Sequence, residues 1–531
     1  MKTLSNFNPH QTYTAKAAQF AASTARMKSV INRLAMMRLG GALITILGIY
    51  LLVKNDEKSY WGLIILGVIV FSIAMKWQWM LNRKYSIEKL LLEINERELK
   101  FLEGNNHLFD GGEEFKDAHH SYSFDLDIFG KNSLYAHINR THTRFGRNHL
   151  AQALLRTKSK EQILAYQKAV AEVCPNIDFR QNAEAHSLAV NDTINRHKLL
   201  MDWIAQPKEH VSKGLRYTAF ALTGLFVLCI ALSFISAGFP FGKLAAVIFV
   251  LQLALSASKI KSIISEVSYF EKIKDELFHY KNYIEIIENA SFENNVLKDI
   301  QSQLKAENGN ASTKIKTLSS IIDNISTVQN LVAFSFFSGM FCFHLHQYFR
   351  LLQWKEQHGK ALPQWFGALG NWEVIHSFAQ LKYNFSEYQF PEITDEQVLE
   401  FKDLGHPLIR TDKRVVNDID YKAFQFVLLT GSNMSGKSTF LRTVGINMIL
   451  ANAGSAVCAS HAKLFPYHIL VSMRLDDSLA DSQSYFFAEI NRLKMIVEEF
   501  PTKPSFIILD EILRGTNSDD KRLGTIELLK I

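Results

Sequence analysis

The segment FQFVLLTGSNMSGKSTFLRTVG, Phe424–Gly445, decides how this chain is read. FVLL (Phe426–Leu429) reads as a buried strand, and a helix is expected from Lys437 onward. Between them Gly431, Ser432, Asn433, Met434, Ser435, Gly436, Lys437 and Ser438 fill the pattern GxxxxGK[ST], with Thr439 following. Backbone N–H groups can converge on phosphates there because glycine permits the tight turn without a Cβ clash. Gly431–Thr439 are therefore the expected ATP-binding residues. Lys437 reaches the β- and γ-phosphates, and the Ser438 hydroxyl is a ligand for Mg2+.

The complementary half lies at SFIILDE, Ser505–Glu511. Four apolar residues read as a buried parallel strand, with two acids at its carboxyl end, where ligands of α/β folds bind. Asp510 is expected in the metal shell, and Glu511 is expected to polarise the attacking water. Lys437 and Glu511 are thus the expected catalytic residues, and Ser438 and Asp510 the metal ligands. A Glu directly after the Asp points to an ABC-type ATPase, in which two nucleotide domains sandwich ATP.

The chain around this site is long and apolar. At 531 residues it exceeds one ordinary core, so two to four structural units are expected. Its apolar fraction of 47% against 21% charged residues excludes a disordered chain. The net charge of +7 is compatible with nucleic acid or an anionic membrane face and selects neither. Cys174, Cys229, Cys342 and Cys458 form no CxxC pair, which argues against structural zinc or a disulfide framework. The pairs His119/His120 and His344/His346 lack the spacing that puts two ligands on one helix face.

Two regions look like membrane hairpins. Leu39–Val53 and Tyr60–Met75 flank the connector KNDEKS, and the uncharged run Tyr217–Gly242 is followed, after Lys243, by Leu244–Ser258. A membrane helix needs about 20 apolar residues, which Tyr217–Gly242 supplies, while Leu39–Val53 and Leu244–Ser258 are shorter. Trp61, Trp77 and Trp79 stand where an interfacial belt would, and Arg33, Arg38, Arg83 and Lys84 border the first pair as Lys213, Arg216, Lys259 and Lys261 border the second. That charge bias puts the short connectors outside and the rest in the cytoplasm, a multi-pass protein of the cytoplasmic membrane. A cleaved signal peptide does not fit, because the first apolar run starts late. A third apolar run, Leu331–Phe341, reads as a buried packing face.

Elsewhere Tyr85–Glu103 has apolar residues at helical spacing, and residues 148–206 and 262–330 are helical in composition, with loops at Gly111–Gly112 and Asn308–Asn310. After Phe390–Pro391 short β-branched runs separated by turn signals mark the start of an α/β domain.

At this point the residues resemble the MutS family of DNA-handling ATPases. GSNMSGKSTFLR is close to that family's GPNMxGKSTxLR, with the distinctive Asn433-Met434 pair inside the loop. GHPLI (Gly405–Ile409) and VVNDI (Val415–Ile419) resemble its RHPxx and VPND segments, with Gly405 in place of the usual arginine. GSAVCAS (Gly454–Ser460), DDSLADSQSYFFAE (Asp476–Glu489) and DEILRGTNSDD (Asp510–Asp520) resemble its GxxVPA, DDLxxGxSTFxxE and DExxRGTSTxDG stretches. Leu126–Leu155 and Ala368–Ile393 resemble the start and end of its helical core.

The resemblance implies a helical lever region feeding an ABC-type ATPase, DNA as partner, and a homodimer in which Ser484 of one subunit approaches the γ-phosphate held by the other. It places the chain near DNA mismatch repair or other DNA processing. Three departures qualify this. The mismatch-reading N-terminal domain is replaced by a polar leader and the first apolar hairpin, and none of the Phe-x-Glu tripeptides sits in such a domain. The second hairpin interrupts the helical core. The sequence stops soon after RGTNSDD, whereas an ABC-type fold is expected to continue to a strand bearing a switch histidine, so a C-terminally truncated ATPase domain with impaired hydrolysis is expected.

The fold class expected is therefore α plus α/β. The expected units are a leader (1–38), a transmembrane hairpin (39–80), the first part of the helical core (81–216), a second hairpin (217–258), lever helices with the end of the core (259–392), and the ATPase domain (393–531). The competing reading is an ABC-type transport or membrane-remodelling ATPase that does not act on DNA. Against it stand DSQSYFF (Asp481–Phe487) where LSGGQ would be, and hairpins without central charges to line a polar path. A scaffold that uses ATP only to dimerise is a third reading.

Overall fold

The computed structural model describes residues 8–105, 108–190, 194–206, 212–235, 240–270, 274–306, 309–421, 426–432, 435–473, 485–513 and 517–528. Two very long helices open the chain, Pro9–Asn55 and Trp61–Leu102. The first starts where the Asn8 side chain accepts from His10 N and Gln11 N with Pro9 at the first helical position, and it ends at Asp56 in the left-handed region. Leader and first apolar segment are therefore not separate units: one helix of roughly 70 Å runs through both. No proline interrupts residues 10–55, and the only glycines fall inside the apolar stretch.

Those glycines are where the two helices meet. A Cβ on Gly41 would lie 2.9 Å from Phe71 N and 3.0 Å from Gly67 O, and one on Gly67 would lie 2.7 Å from Gly41 O. Small residues at a crossing let apolar helices pack backbone to backbone. The outward sides stay apolar and exposed, with Leu43, Ile46, Leu47, Ile65, Leu66 and Ile69 each about half accessible.

Pro9–Asn55, Lys58–Leu102 and Lys213–Ile235 are long and apolar enough to cross a membrane. Phe241–Ala257 and Ile260–Phe270, bent by 56° at Ser258–Lys259, would make a fourth span if taken together. Leu331–Phe341 departs from its expected burial. Phe334, Ser338 and Gly339 are buried, but Leu331 and Val332 are 76% and 78% exposed. A run apolar on every side carries no periodicity from which the packed side can be read.

The base of the long hairpin is built into a helical core by buried polar groups. Glu98 pairs with Arg140, Nη2 to Oε2 at 3.2 Å, and accepts from Asn384 Nδ2 at 2.7 Å. Tyr13 donates to Asn384 Oδ1 at 2.7 Å and accepts from Gln380 Nε2 at 2.6 Å. Both long helices are thus tied to the helix Leu362–Asn384. Nearby, burial works against ionisation of Glu184, yet hydrogen bonds from His142 and His376 hold its pKa well below the ordinary value. Burial lifts the carboxyl of Glu373, which receives Thr143 N at 3.2 Å and Thr143 Oγ1 at 2.8 Å.

The C-terminal third carries most of the strands. One four-stranded sheet has the order Glu392–Ile393, His461–Leu464, Leu399–Leu404, Asn417–Asp420. A parallel pair joins His468–Ser472 to Ser505–Leu509, with Ser472 opposite Leu509. The helix Lys437–Ala453 is buried along its second half and packs so closely that a Cβ on Gly445 would lie 2.7 Å from Leu126 Cδ1 and 3.1 Å from Ile508 Cδ1.

Candidate functional site

The helix expected after the glycine-rich loop begins at Lys437, and its preceding residue Gly436 has φ of 90°. A non-glycine residue would be strained there. The Lys437 amine donates to Gly431 O and Ser432 O, both at 2.8 Å, so the cation sits inside the loop, where phosphate oxygens would meet it. The N-terminal end of a helix adds to the same positive potential.

The expected strand at Phe426–Leu429 is not formed. These residues have no ladder partner among the described residues, and Phe426, Val427, Leu428 and Leu429 are 56%, 47%, 73% and 39% exposed. β-branched and aromatic content favours a strand only where a neighbouring edge offers hydrogen bonds and a face to cover. Ser505–Leu509 does form the second expected strand, and its only described ladder is with His468–Ser472.

The two halves of the site meet. Ser438 Oγ lies 2.5 Å from Asp510 Oδ2, across 72 positions of sequence. Asp510 is fixed by its N–H donating to Ser472 O at 3.0 Å, which extends the parallel pairing past Leu509. A hydroxyl and a carboxylate side by side at the exposed end of a strand and the start of a helix make an oxygen donor set suited to Mg2+. Glu511, next along, is exposed and has φ of 47°, and Leu513 has φ of 57°. Two non-glycine residues in the left-handed region within three positions mark a strained turn held by its surroundings.

Part of that holding comes from Glu489, 2% exposed, whose carboxylate accepts from Leu513 N. Glu489, the last residue of DDSLADSQSYFFAE, is thus tied to the acidic turn within one chain. Glu489→Ala is expected to lower turnover several-fold while nucleotide affinity stays within twofold, read by steady-state phosphate release and nucleotide titration. An unchanged rate would show that the turn holds its shape without this bond. Asn433, Met434 and Ser484, together with residues 514–516, lie outside the described residues.

Several positioning residues were not legible in the motifs. Asp125, 1% exposed, accepts from Met473 N at 2.7 Å and from Arg492 Nη2 at 2.7 Å. Arg492 also donates to Val471 O at 2.9 Å, so the segment near residue 125 is fastened beside the strand that carries Asp510. Arg442, on the helix that starts at Lys437, reaches Asp127 Oδ2 at 3.2 Å. Asn447, fully buried, donates to Gly405 O at 3.0 Å and accepts from Cys458 N at 2.7 Å. Each pair joins residues far apart in sequence, and spacing alone offers no signal for them.

The glycine at position 405 also acquires a reason. A Cβ there would lie 3.1 Å from both Arg414 Cγ and Cys458 Sγ. Arg414 fills the space, donating through Nε and Nη2 to Ile409 O at 3.1 and 3.0 Å. Burial pushes the neighbouring His406 imidazole down to about 4, helped by the Arg442 and Arg414 guanidiniums, so this histidine is neutral at pH 7.

Comparison with known proteins agrees with the motifs. The family description MutS domain V matches residues 427–524. A DNA mismatch repair protein MutS from Pelotomaculum thermopropionicum is 36% identical over 160 residues, 29% of this chain and 18% of that protein. Proteins of the same name from Ehrlichia chaffeensis and Fusobacterium nucleatum are each 39% identical, over 156 and 159 residues, covering 29% of this chain and 19% and 17% of theirs. The matched region thus spans less than a fifth of the length of these three relatives. Over residues 427–524 the chain matches domain V of the MutS family, and its C-terminal region is similar to MutS proteins.

Proposed function

We propose that the protein is a membrane-anchored, MutS-like ATPase that binds ATP and Mg2+ at Gly431–Thr439 and Asp510, hydrolyses it with Glu511, and couples the cycle to DNA through its helical region. The observation that carries the nucleotide reading is the 2.5 Å approach of Ser438 Oγ to Asp510 Oδ2. Bound between them, Mg2+ would neutralise charge on the β- and γ-phosphates. Lys437 leaves its two loop carbonyls for phosphate oxygens, and Glu511 stands one residue beyond the metal-facing carboxylate to orient water.

The membrane part of the proposal draws on the exposed apolar belts of the long helices. Only 11% of the most apolar stretch of each of the first two is buried, and 17% of that of Lys213–Ile235. Surfaces of this extent are not left to water by soluble proteins. Basic residues border both hairpins at the ends away from their connectors, so the ATPase and helical parts lie on the cytoplasmic side of the membrane. The DNA part rests on the family resemblance and on the printed names of the relatives. So does a homodimer with Ser484 acting across the interface.

The test is ATPase rate in nanodiscs, with and without duplex, mismatched and branched DNA. Stimulation by DNA that fades between about 50 and about 200 mM salt is expected, because phosphate contacts release counterions. A rate indifferent to every DNA but altered by lipid composition would replace this reading with a transport or membrane-remodelling ATPase.

A further inference from the structure

We propose that the helix Leu331–Phe341 is a third, lipid-embedded member of the second apolar unit, lying within one leaflet against Lys213–Ile235 and Phe241–Ala257. The inference rests on the membrane reading of that unit. One side of the helix is packed: a Cβ on Gly339 would overlap the Phe249 ring. Met340 joins Phe226, Cys229, Ala245 and Ile248 in an apolar cluster separate from the main core. Phe336 and Phe337 are 54% and 41% exposed, Leu331 and Val332 at the first turn are 76% and 78% exposed, and Val247, Val250 and Leu251 on the neighbouring helix are exposed as well.

Length sets the depth. Eleven residues span roughly 16 Å, about half the hydrocarbon thickness, so this helix cannot cross the bilayer. Its level is set by its neighbours. Cys342 Sγ lies 3.9 Å from Gln252 O, close to the bend at Ser258–Lys259. That end of the unit is bordered by Lys213, Arg216, Lys259 and Lys261, so the helix occupies the leaflet next to the helical core.

The backbone is prepared for a medium without water. The Asn330 side chain accepts from Val332 N at 3.0 Å and Ala333 N at 3.1 Å, and Cys342 N donates back to Ser338 O at 3.0 Å. Capped ends matter most where an orphan polar group has no solvent to meet. Ser338 turns inward, with Oγ 2.7 Å from His344 Nδ1, and His344 Nε2 lies 2.9 Å from Thr327 Oγ1. The helix carries no charged residue, and its exposed residues are all apolar or small.

Single cysteines at Val332, Phe336, Leu228 and Lys316, labelled with bimane, test this in phosphatidylcholine–phosphatidylglycerol vesicles with brominated acyl chains. Labelling of the unsubstituted protein, whose four cysteines are buried, sets the background. Lys316 is exposed on the polar helix Ala311–Ser326 and serves as the aqueous reference. The expected result is blue-shifted emission at Val332→Cys and Phe336→Cys, with quenching several-fold above Lys316→Cys and close to that at Leu228→Cys. If both behave like Lys316→Cys while Leu228→Cys is quenched, the helix is not in lipid. An unquenched Leu228→Cys would overturn the membrane reading itself, and this inference with it.

Discussion

Lys437→Ala is expected to weaken ATP binding by roughly a hundredfold, and Glu511→Gln to keep binding while lowering turnover by about two to three orders of magnitude. The two effects separate because the side chains face different parts of the reaction. The Lys437 amine already satisfies two carbonyls of its own loop, Gly431 O and Ser432 O. Replacing those contacts with phosphate oxygens exchanges neutral acceptors for charged ones, and each charge-assisted bond contributes about 1.5–3 kcal/mol. Alanine removes both. Glu511 sits one residue beyond Asp510, the proposed metal ligand, on a turn with positive φ at Glu511 and Leu513, and in the proposed reaction it bears on the water rather than on nucleotide affinity. Fluorescent-nucleotide titration and single-turnover phosphate release measure the two quantities independently. Retained hydrolysis in a clean Glu511→Gln preparation would move water activation to another residue, and undiminished binding by Lys437→Ala would remove the loop from the site.

What could be read in the sequence follows from where local chemistry is decisive. Gly436, Lys437 and Ser438 announce their own geometry, because few residues tolerate φ near 90° and a phosphate-facing amide turn needs one that does. Asp510 at the end of FIIL is legible for the same reason, since a short apolar run closed by acids reads as a buried strand with its ligand end marked. Phe426–Leu429 shows the limit of this logic. Its composition matches that of Phe506–Leu509, yet only the latter has an edge to pair with among the described residues. Leu331–Phe341 fails for another reason: every position is apolar or small, so amphipathicity cannot say which side is covered. The boundary at residue 38 looks like a change of unit because polar composition gives way to apolar. The backbone has no reason to break there, and the helix continues. Long-range ion pairs such as Arg492 with Asp125 depend on how elements pack, and no local pattern encodes them.

Single replacement of Glu98 or Arg140 by leucine is expected to cost about 3–5 kcal/mol of stability, because either change leaves an uncompensated charge in a dry interior. Both side chains are at most 2% exposed, and Arg140 lies over the Phe109 ring at 3.5 Å to its centroid. Glu98 also receives Asn384 Nδ2, which in turn is bonded to Tyr13. The Glu98→Leu/Arg140→Leu double variant removes both charges together and is expected to recover much of the loss. It does not recover all of it, since Asn384 keeps one amide donor unsatisfied at a cost of about 1–3 kcal/mol. Denaturant titration of the four proteins closes the cycle. The consequence reaches beyond stability, because this network is where the roots of both long helices enter the core. Protease protection of residues 9–38 should therefore fall in each single variant and return in the double, while nucleotide binding at Lys437 stays unchanged. Single variants within about 1 kcal/mol of the parent would mean that water reaches the pair, since that is the range of a solvated ion pair. The long hairpin would then be held to the core by its other contacts, among them the buried Asn95–Gln181 hydrogen bonds and those of Tyr13 with Asn384 and Gln380.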